Sequence, residues 1–138
     1  MVGGIILNSK STVEIITEWD IVVARQLGRN EAKIIGFGTV EQARITTAIS
    51  ELARNIYLYA SAGEIVIERI EEVEKYGIRI TAIDKGPGID NVRKVMEDGY
   101  STSGGLGAGL PGVKRLMDGM EIQTTVGKGT IIKIEKWI

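Results

Sequence analysis

Two pairs of strand-like segments, each joined by a short turn, constrain this chain most. Glu64–Ile70 and Ile78–Asp84 read as strands connected through residues 71–77, and Ile65/Ile67 and Ile78/Ile80 alternate as half-buried strands should. Met120–Val126 and Thr130–Trp137 read as a second hairpin over Gly127-Lys-Gly129. Val13–Thr17, with a start as early as Ile5, adds a first strand. Hairpins with helices interspersed predict an α/β chain of the two-layer α+β kind: a mixed, mostly antiparallel sheet covered by helices on one face. A Rossmann arrangement fits poorly, because strand and helix do not alternate strictly.

The helices are legible from their periodicity. Asp20–Ile35 reads as one, with Val23, Leu27 and Ile34 near a common face and Gly36 as a stop. Thr39 and Gln42 have the spacing of a capping box and predict a second helix running to about Tyr59. Ile45, Ile49, Leu52 and Ile56 repeat at spacings of four, three and four and give it one apolar stripe. Asn91–Glu97 predicts a short helix, Tyr100–Gly109 a Ser/Thr/Gly loop, and Leu110–Asp118 a last helix with Pro111 in its opening turn. No linker divides the 138 residues, so the whole chain, 1–138, is expected to be one domain.

Composition removes several chemistries. The chain has no His and no Cys, which excludes zinc sites, Ser-His-Asp triads and phosphohistidine within it. A net charge of −1 offers no field for nucleic acid or anionic lipid. The apolar stretch Gly3–Leu7 is too short to cross a bilayer and lacks a basic flank, so the expected compartment is the cytoplasm, with no membrane partner.

Three motifs then follow in order. In Glu51-Leu-Ala-Arg-Asn55 a carboxylate and an amide stand one helical turn apart, on the flank of the apolar stripe. Asn55 is a hard-oxygen ligand of the kind Mg²⁺ accepts, and Glu51 is a base for an attacking hydroxyl. Asp84 ends a strand, and Gly86-Pro-Gly88 turns the chain sharply beside it, so an adenine lying there has a carboxylate for its amino hydrogens. Gly104, Gly105, Leu106, Gly107, Ala108, Gly109 and Leu110 open a helix. Bare backbone N–H groups and the helix N-terminus suit a phosphate there. Lys114 lies within the first turns of that helix as a possible counter-charge, and Thr130 opens the last strand with its hydroxyl beside the sheet core.

The ordered set Glu-x-x-x-Asn, Asp-x-Gly-x-Gly, Gly-x-Gly-x-Gly-Leu and Gly-x-Gly-Thr resembles the ATPase superfamily of gyrase, Hsp90, histidine kinases and MutL. Within it, the stretches Thr17–Asp20, Arg25–Arg29, Gln42–Thr46, Glu51–Asn55 and Ser101–Gly112 are similar to the anti-sigma-factor serine/threonine kinases, and among those to the stressosome switch kinases. The resemblance runs from about Val13 to Trp137. It implies a Bergerat-type sandwich that binds ATP and Mg²⁺, with Glu51 as general base, Asn55 as Mg²⁺ ligand and Asp84 as the adenine-reading group. It implies glycines 86, 88, 105, 107 and 109 along the nucleotide and a lid over Ile89–Gly104. Ala108 departs from the bulkier aliphatic that many members carry. The implied substrate is a Ser or Thr of a STAS-domain antagonist or scaffold. The kinase is then released to a downstream effector such as a PP2C-type phosphatase. The alternative is a non-catalytic module whose bound ATP only shapes a sequestering face.

Overall fold

The computed structural model describes residues 9–97 and 109–138. A single sheet of five strands, ordered β1-β2-β3-β5-β4, carries the molecule. The strands are β1 (Lys10–Ile15), β2 (Gly63–Glu72), β3 (Lys75–Asp84), β4 (Gly119–Thr125) and β5 (Gly129–Trp137). All the pairings among them are antiparallel, so "mostly antiparallel" becomes wholly so for the described strands. The helices are α1 (Glu18–Ile35), α2 (Thr39–Asn55), the one-turn α3 (Val92–Val95) and α4 (Gly109–Leu116).

The core lies between the helices and one face of the sheet. Ile65 and Ile67 of β2, Ile78 and Ile80 of β3 and Ile134 of β5 meet the α2 stripe of Ile45, Ile49, Leu52 and Ile56, all of them sealed from solvent. The stripe read from the sequence is therefore the buried one. On the opposite face Glu68, Arg79 and Glu135 stand in register on neighbouring strands, and Arg79 Nε donates to Glu135 Oε2 at 2.7 Å. Alternating charges across a ladder suit a face in contact with water.

The structure corrects four local readings. The α1 face through Val23, Leu27 and Ile34 is not the buried one: Val23 is 38% and Ile34 51% exposed, while Ile21, Ala24, Gly28, Glu31 and Ala32 are buried. Small residues decide this orientation. A Cβ on Gly28 would lie 2.1 Å from Ile49 Cδ1, so α1 and α2 approach closely along a stripe that apolar bulk does not mark. The capping box belongs to α1: Asp20 Oδ2 accepts from Thr17 N at 2.8 Å. Thr39 is instead the first helical residue of α2 after Gly38 at the cap, and Gln42 Nε2 donates to Phe37 O at 2.8 Å. The α-helix ends at Asn55, and Ile56–Ala60 continue as a π turn. The first hairpin turn shrinks to Val73-Glu74, because the charged residues read as loop are the exposed ends of β2 and β3. The expected start of the first strand near Ile5 lies outside the described residues.

Candidate functional site

One row of sheet partners organises the site. Gly63 faces Asp84, Asp84 faces Thr130, and Thr130 faces Thr124 across four neighbouring strands. Asp84 Oδ1 accepts from Gly86 N at 2.9 Å, so one carboxylate oxygen braces the glycine turn and the other is left for a ligand. The turn is tied to the second hairpin by Gly127 N donating to Pro87 O at 2.8 Å. Gly88 has φ +78°, and a Cβ there would meet Thr125 O at 2.5 Å, so only glycine lets these two turns lie together.

Thr130 is buried, with its Oγ1 2.9 Å from Thr124 Oγ1. Thr124 Oγ1 accepts from Ile89 N at 2.9 Å and donates to Gly129 O at 3.1 Å. A hydroxyl has one hydrogen. With Thr124's directed at Gly129, Thr130 donates to Thr124 and presents lone pairs only. Two acceptors, one on Asp84 and one on Thr130, thus stand side by side at the ends of adjacent strands.

Both line a cavity of about 670 Å³ that also takes in Asn55, Gly88, Gly109 and Leu110. Asn55 closes α2, and the π turn behind it brings Tyr59 and Ala60 to the same wall. Gly109 and Leu110 are the first residues of α4 and line the cavity, so this helix directs its N-terminus there, where first-turn N–H groups and the dipole favour an anion.

Glu51 stands one turn before Asn55 and is 2% exposed, behind the cavity wall and not part of it. Its Oε1 is 3.5 Å from Arg54 Nη1, and its Oε2 has no partner among the described residues. A buried carboxylate oxygen without a donor is costly unless a ligand supplies one. Gly86 lies behind Asp84 against Ala60 and is not on the wall. Lys114 is exposed on α4, also off the wall. Gly104, Gly105, Leu106, Gly107 and Ala108 lie outside the described residues, as do residues 98–103 of the stretch expected to form the lid. Sequence reasoning missed Tyr59, Val126 and Ile132 on the wall, whereas Lys94, also there, falls in the stretch expected to form the lid. Tyr59 had a signal, being four residues beyond Asn55, and Ile132 had one in its alternation with Thr130. Among the described residues no cluster of three or more metal-binding side chains occurs, and no helix is long and apolar enough to cross a membrane.

The model of the histidine kinase-, DNA gyrase B- and HSP90-like ATPases matches residues 40–137. The chain belongs to this family. It is 66% identical over 132 residues to the serine/threonine-protein kinase RsbT of Bacillus subtilis, covering 96% of this chain and 99% of that one. It is 34% identical over 105 residues to the anti-sigma F factor of Caldanaerobacter subterraneus, covering 72% and 73%. In fold it is similar to a chain of the SiaB–SiaC complex from Pseudomonas aeruginosa, with a TM-score of 0.56, 12% identity, and 94% and 89% of the two chains covered. It is likewise similar to the catalytic domain of histidine kinase ThkA, with a TM-score of 0.52, 15% identity and coverage of 91% and 95%. Near-complete coverage by a relative at two-thirds identity goes further than the fold: the chain is a serine/threonine-protein kinase.

Proposed function

We propose that this kinase binds ATP with the adenine against Asp84 and Thr130 and the triphosphate directed at the first turn of α4, and passes the γ-phosphoryl group to a hydroxyl placed near Glu51. The observation that carries this reading is the shared wall: acceptors for a purine amino group, an amide oxygen and a helix N-terminus face one cavity. Asp84 and Thr130 orient the base. Asn55 supplies one hard oxygen. Mg²⁺ needs few protein ligands when phosphates and waters complete its shell, which matches a wall that offers the Asn55 amide and, among the described residues, no cluster of three or more carboxylates. When bound, Mg²⁺ would neutralise charge on the β- and γ-phosphates. Glu51 takes the proton of the attacking Ser or Thr, and its unpartnered Oε2 is the atom suited to it. This step requires the wall between Glu51 and the cavity to open when substrates bind.

The acceptor hydroxyl belongs to a STAS-domain antagonist or scaffold protein in the cytoplasm. Phosphorylation releases the kinase to a downstream effector such as a PP2C-type phosphatase. Anti-sigma F factors among its relatives support such exchange of partners. The test is transfer of ³²P from labelled ATP to a purified STAS protein, with the modified residue located by mass spectrometry. A labelled Ser or Thr that disappears with Glu51→Ala is expected. Transfer by Glu51→Ala at the wild-type rate would remove Glu51 as the base, and absence of any transfer would leave the sequestering module as the better reading.

A further inference from the structure

The side chain least explained by this mechanism is Lys136, a lysine of β5 that is 4% exposed. Its Nζ donates to Leu116 O at 2.8 Å, the last residue of α4. The same ammonium lies 3.3 Å from Glu41 Oε2 in the first turn of α2 and 3.9 Å from Asp118 Oδ1. Around it the end of α4 is sewn to β5 twice more, by Asp118 N donating to Glu135 O at 2.9 Å and Trp137 N donating to Asp118 Oδ2 at 2.8 Å. A cation at a helix C-terminus satisfies a free carbonyl and complements the dipole.

The geometry of these two helices gives that bond a consequence. α2 and α4 pack against each other. Their far ends, Asn55 on one and Gly109 and Leu110 on the other, form facing parts of the cavity wall. Their near ends meet on Lys136, about 20 Å along β5 from Thr130 by strand rise. The adenine acceptors Asp84 and Thr130 ride on the sheet, whereas the phosphate end of the cavity rides on α4. We propose that Lys136 is a positioning residue for the triphosphate: one buried ammonium fixes α4 against both α2 and the sheet, and so sets where the helix N-terminus stands relative to the adenine site.

This inference rests on the placement of the phosphates at α4 and deepens it. Both are read from one experiment, calorimetric titration of ATP and of AMP with Mg²⁺ present, at a temperature where each variant is fully folded by circular dichroism. Wild-type protein should prefer ATP. Equal affinity for ATP and AMP would remove the phosphate placement and the role of Lys136 with it. In Lys136→Met the apolar stem is kept, and Glu41 and Asp118 are exposed enough not to be stranded. ATP affinity should fall about tenfold while AMP affinity stays within about twofold, the size of effect expected when a remote contact biases a site. Equal loss for both nucleotides, or loss for neither, would mean that Lys136 serves the fold alone and overturn the proposal. If Lys136→Met does not fold, the double variant Glu41→Gln/Asp118→Asn keeps the lysine and its bond to Leu116. It should shift the same ratio by about threefold, and an unchanged ratio there would equally overturn it.

Discussion

Asp84→Asn isolates the adenine-reading role, because the structure dictates which way the amide must point. Oδ1 of Asp84 accepts from Gly86 N at 2.9 Å. Only the oxygen of an asparagine can accept that bond, so its NH₂ is forced into the position of the second carboxylate oxygen. A purine amino group that met an acceptor now meets a donor. The loss is one hydrogen bond to a charged group, about 1.5–3 kcal/mol. At 1.4 kcal/mol per factor of ten, ATP affinity should drop by about 10–150-fold. The turn itself keeps its bond in neutral form, so stability should fall by no more than about 1 kcal/mol. The assay is calorimetric titration of ATP and GTP, paired with urea unfolding of both proteins. GTP, which carries a carbonyl in place of the amino group, should lose nothing or gain. ATP binding within twofold of wild type would refute the placement of the base at Asp84. An equal loss for ATP and GTP with a large fall in stability would show that the substitution acted by melting the turn.

Glu51→Ala should abolish transfer of ³²P and leave ATP affinity nearly intact, whereas Asn55→Ala should weaken both Mg²⁺-dependent binding and transfer; retained transfer in either variant counts against its assigned role. Gly129→Ala should destabilise the protein by about 2–5 kcal/mol in urea unfolding, since glycine's φ of +133° is lost and the new Cβ lies 2.1 Å from Asp84 O; an unchanged midpoint would contradict that packing. Asp20 is held below its ordinary value of 3.8, chiefly by the backbone N–H of Thr17 and then by that of Ile16. A depressed carboxyl stabilises the fold above 3.8 and loses that contribution as pH falls through its lowered folded value. The advantage of wild type over Asp20→Asn should therefore be constant near neutrality and shrink below about pH 4, by urea midpoints across that range; a gap independent of pH would show that the charge on Asp20 contributes nothing.

What the sequence displayed openly was periodicity. The α2 stripe and the alternation in β2, β3 and β5 follow from side chains that must avoid water, and the hairpins follow from connections between strand-like runs that are too short for a crossover. The orientation of α1 was hidden because Ala24, Gly28 and Ala32 bury by being small, and a reading weighted by bulk passes over them. The π turn was hidden because Ile56–Ala60 continues the composition of a helix. At the site, Asp84, Gly88 and Thr130 could be singled out because they lie at strand ends and in the glycine turn beside them, and Asn55 because it stands one helical turn after Glu51 on the flank of the apolar stripe. Their convergence could not, since it depends on a strand order in which β5 lies between β3 and β4. Lys136 carried one faint signal, its alternation with Thr130, Ile132 and Ile134, but a lysine beside a tryptophan in the last strand reads as surface, and only its tertiary partners make it a buried cation.

The cavity and the core are one structure seen at two ends. On each strand the residues facing the helices form a row: Ile67, Ile65, Gly63 on β2; Ile80, Ala82, Asp84 on β3; Ile134, Ile132, Thr130 on β5; Ile122, Thr124 on β4. Each row is apolar where the helices cover it and turns small or polar at its last member. The α2 stripe ends the same way, with Asn55 beside Ile56. Asp84 and Thr130 are therefore core-facing positions at which the apolar filling stops, with Ile132 left on the cavity wall. This makes the site depend on register: a one-residue slip of β5 against β3 turns Thr130 to the charged face and brings Ile131 opposite the helices. The Val126–Lys128 turn sets β5 against β4, and the bond from Gly127 N to Pro87 O together with the close approach of Gly129 to Asp84 O holds β5 in register with β3. The same hairpin that closes the sheet thereby determines whether a purine finds two acceptors or none.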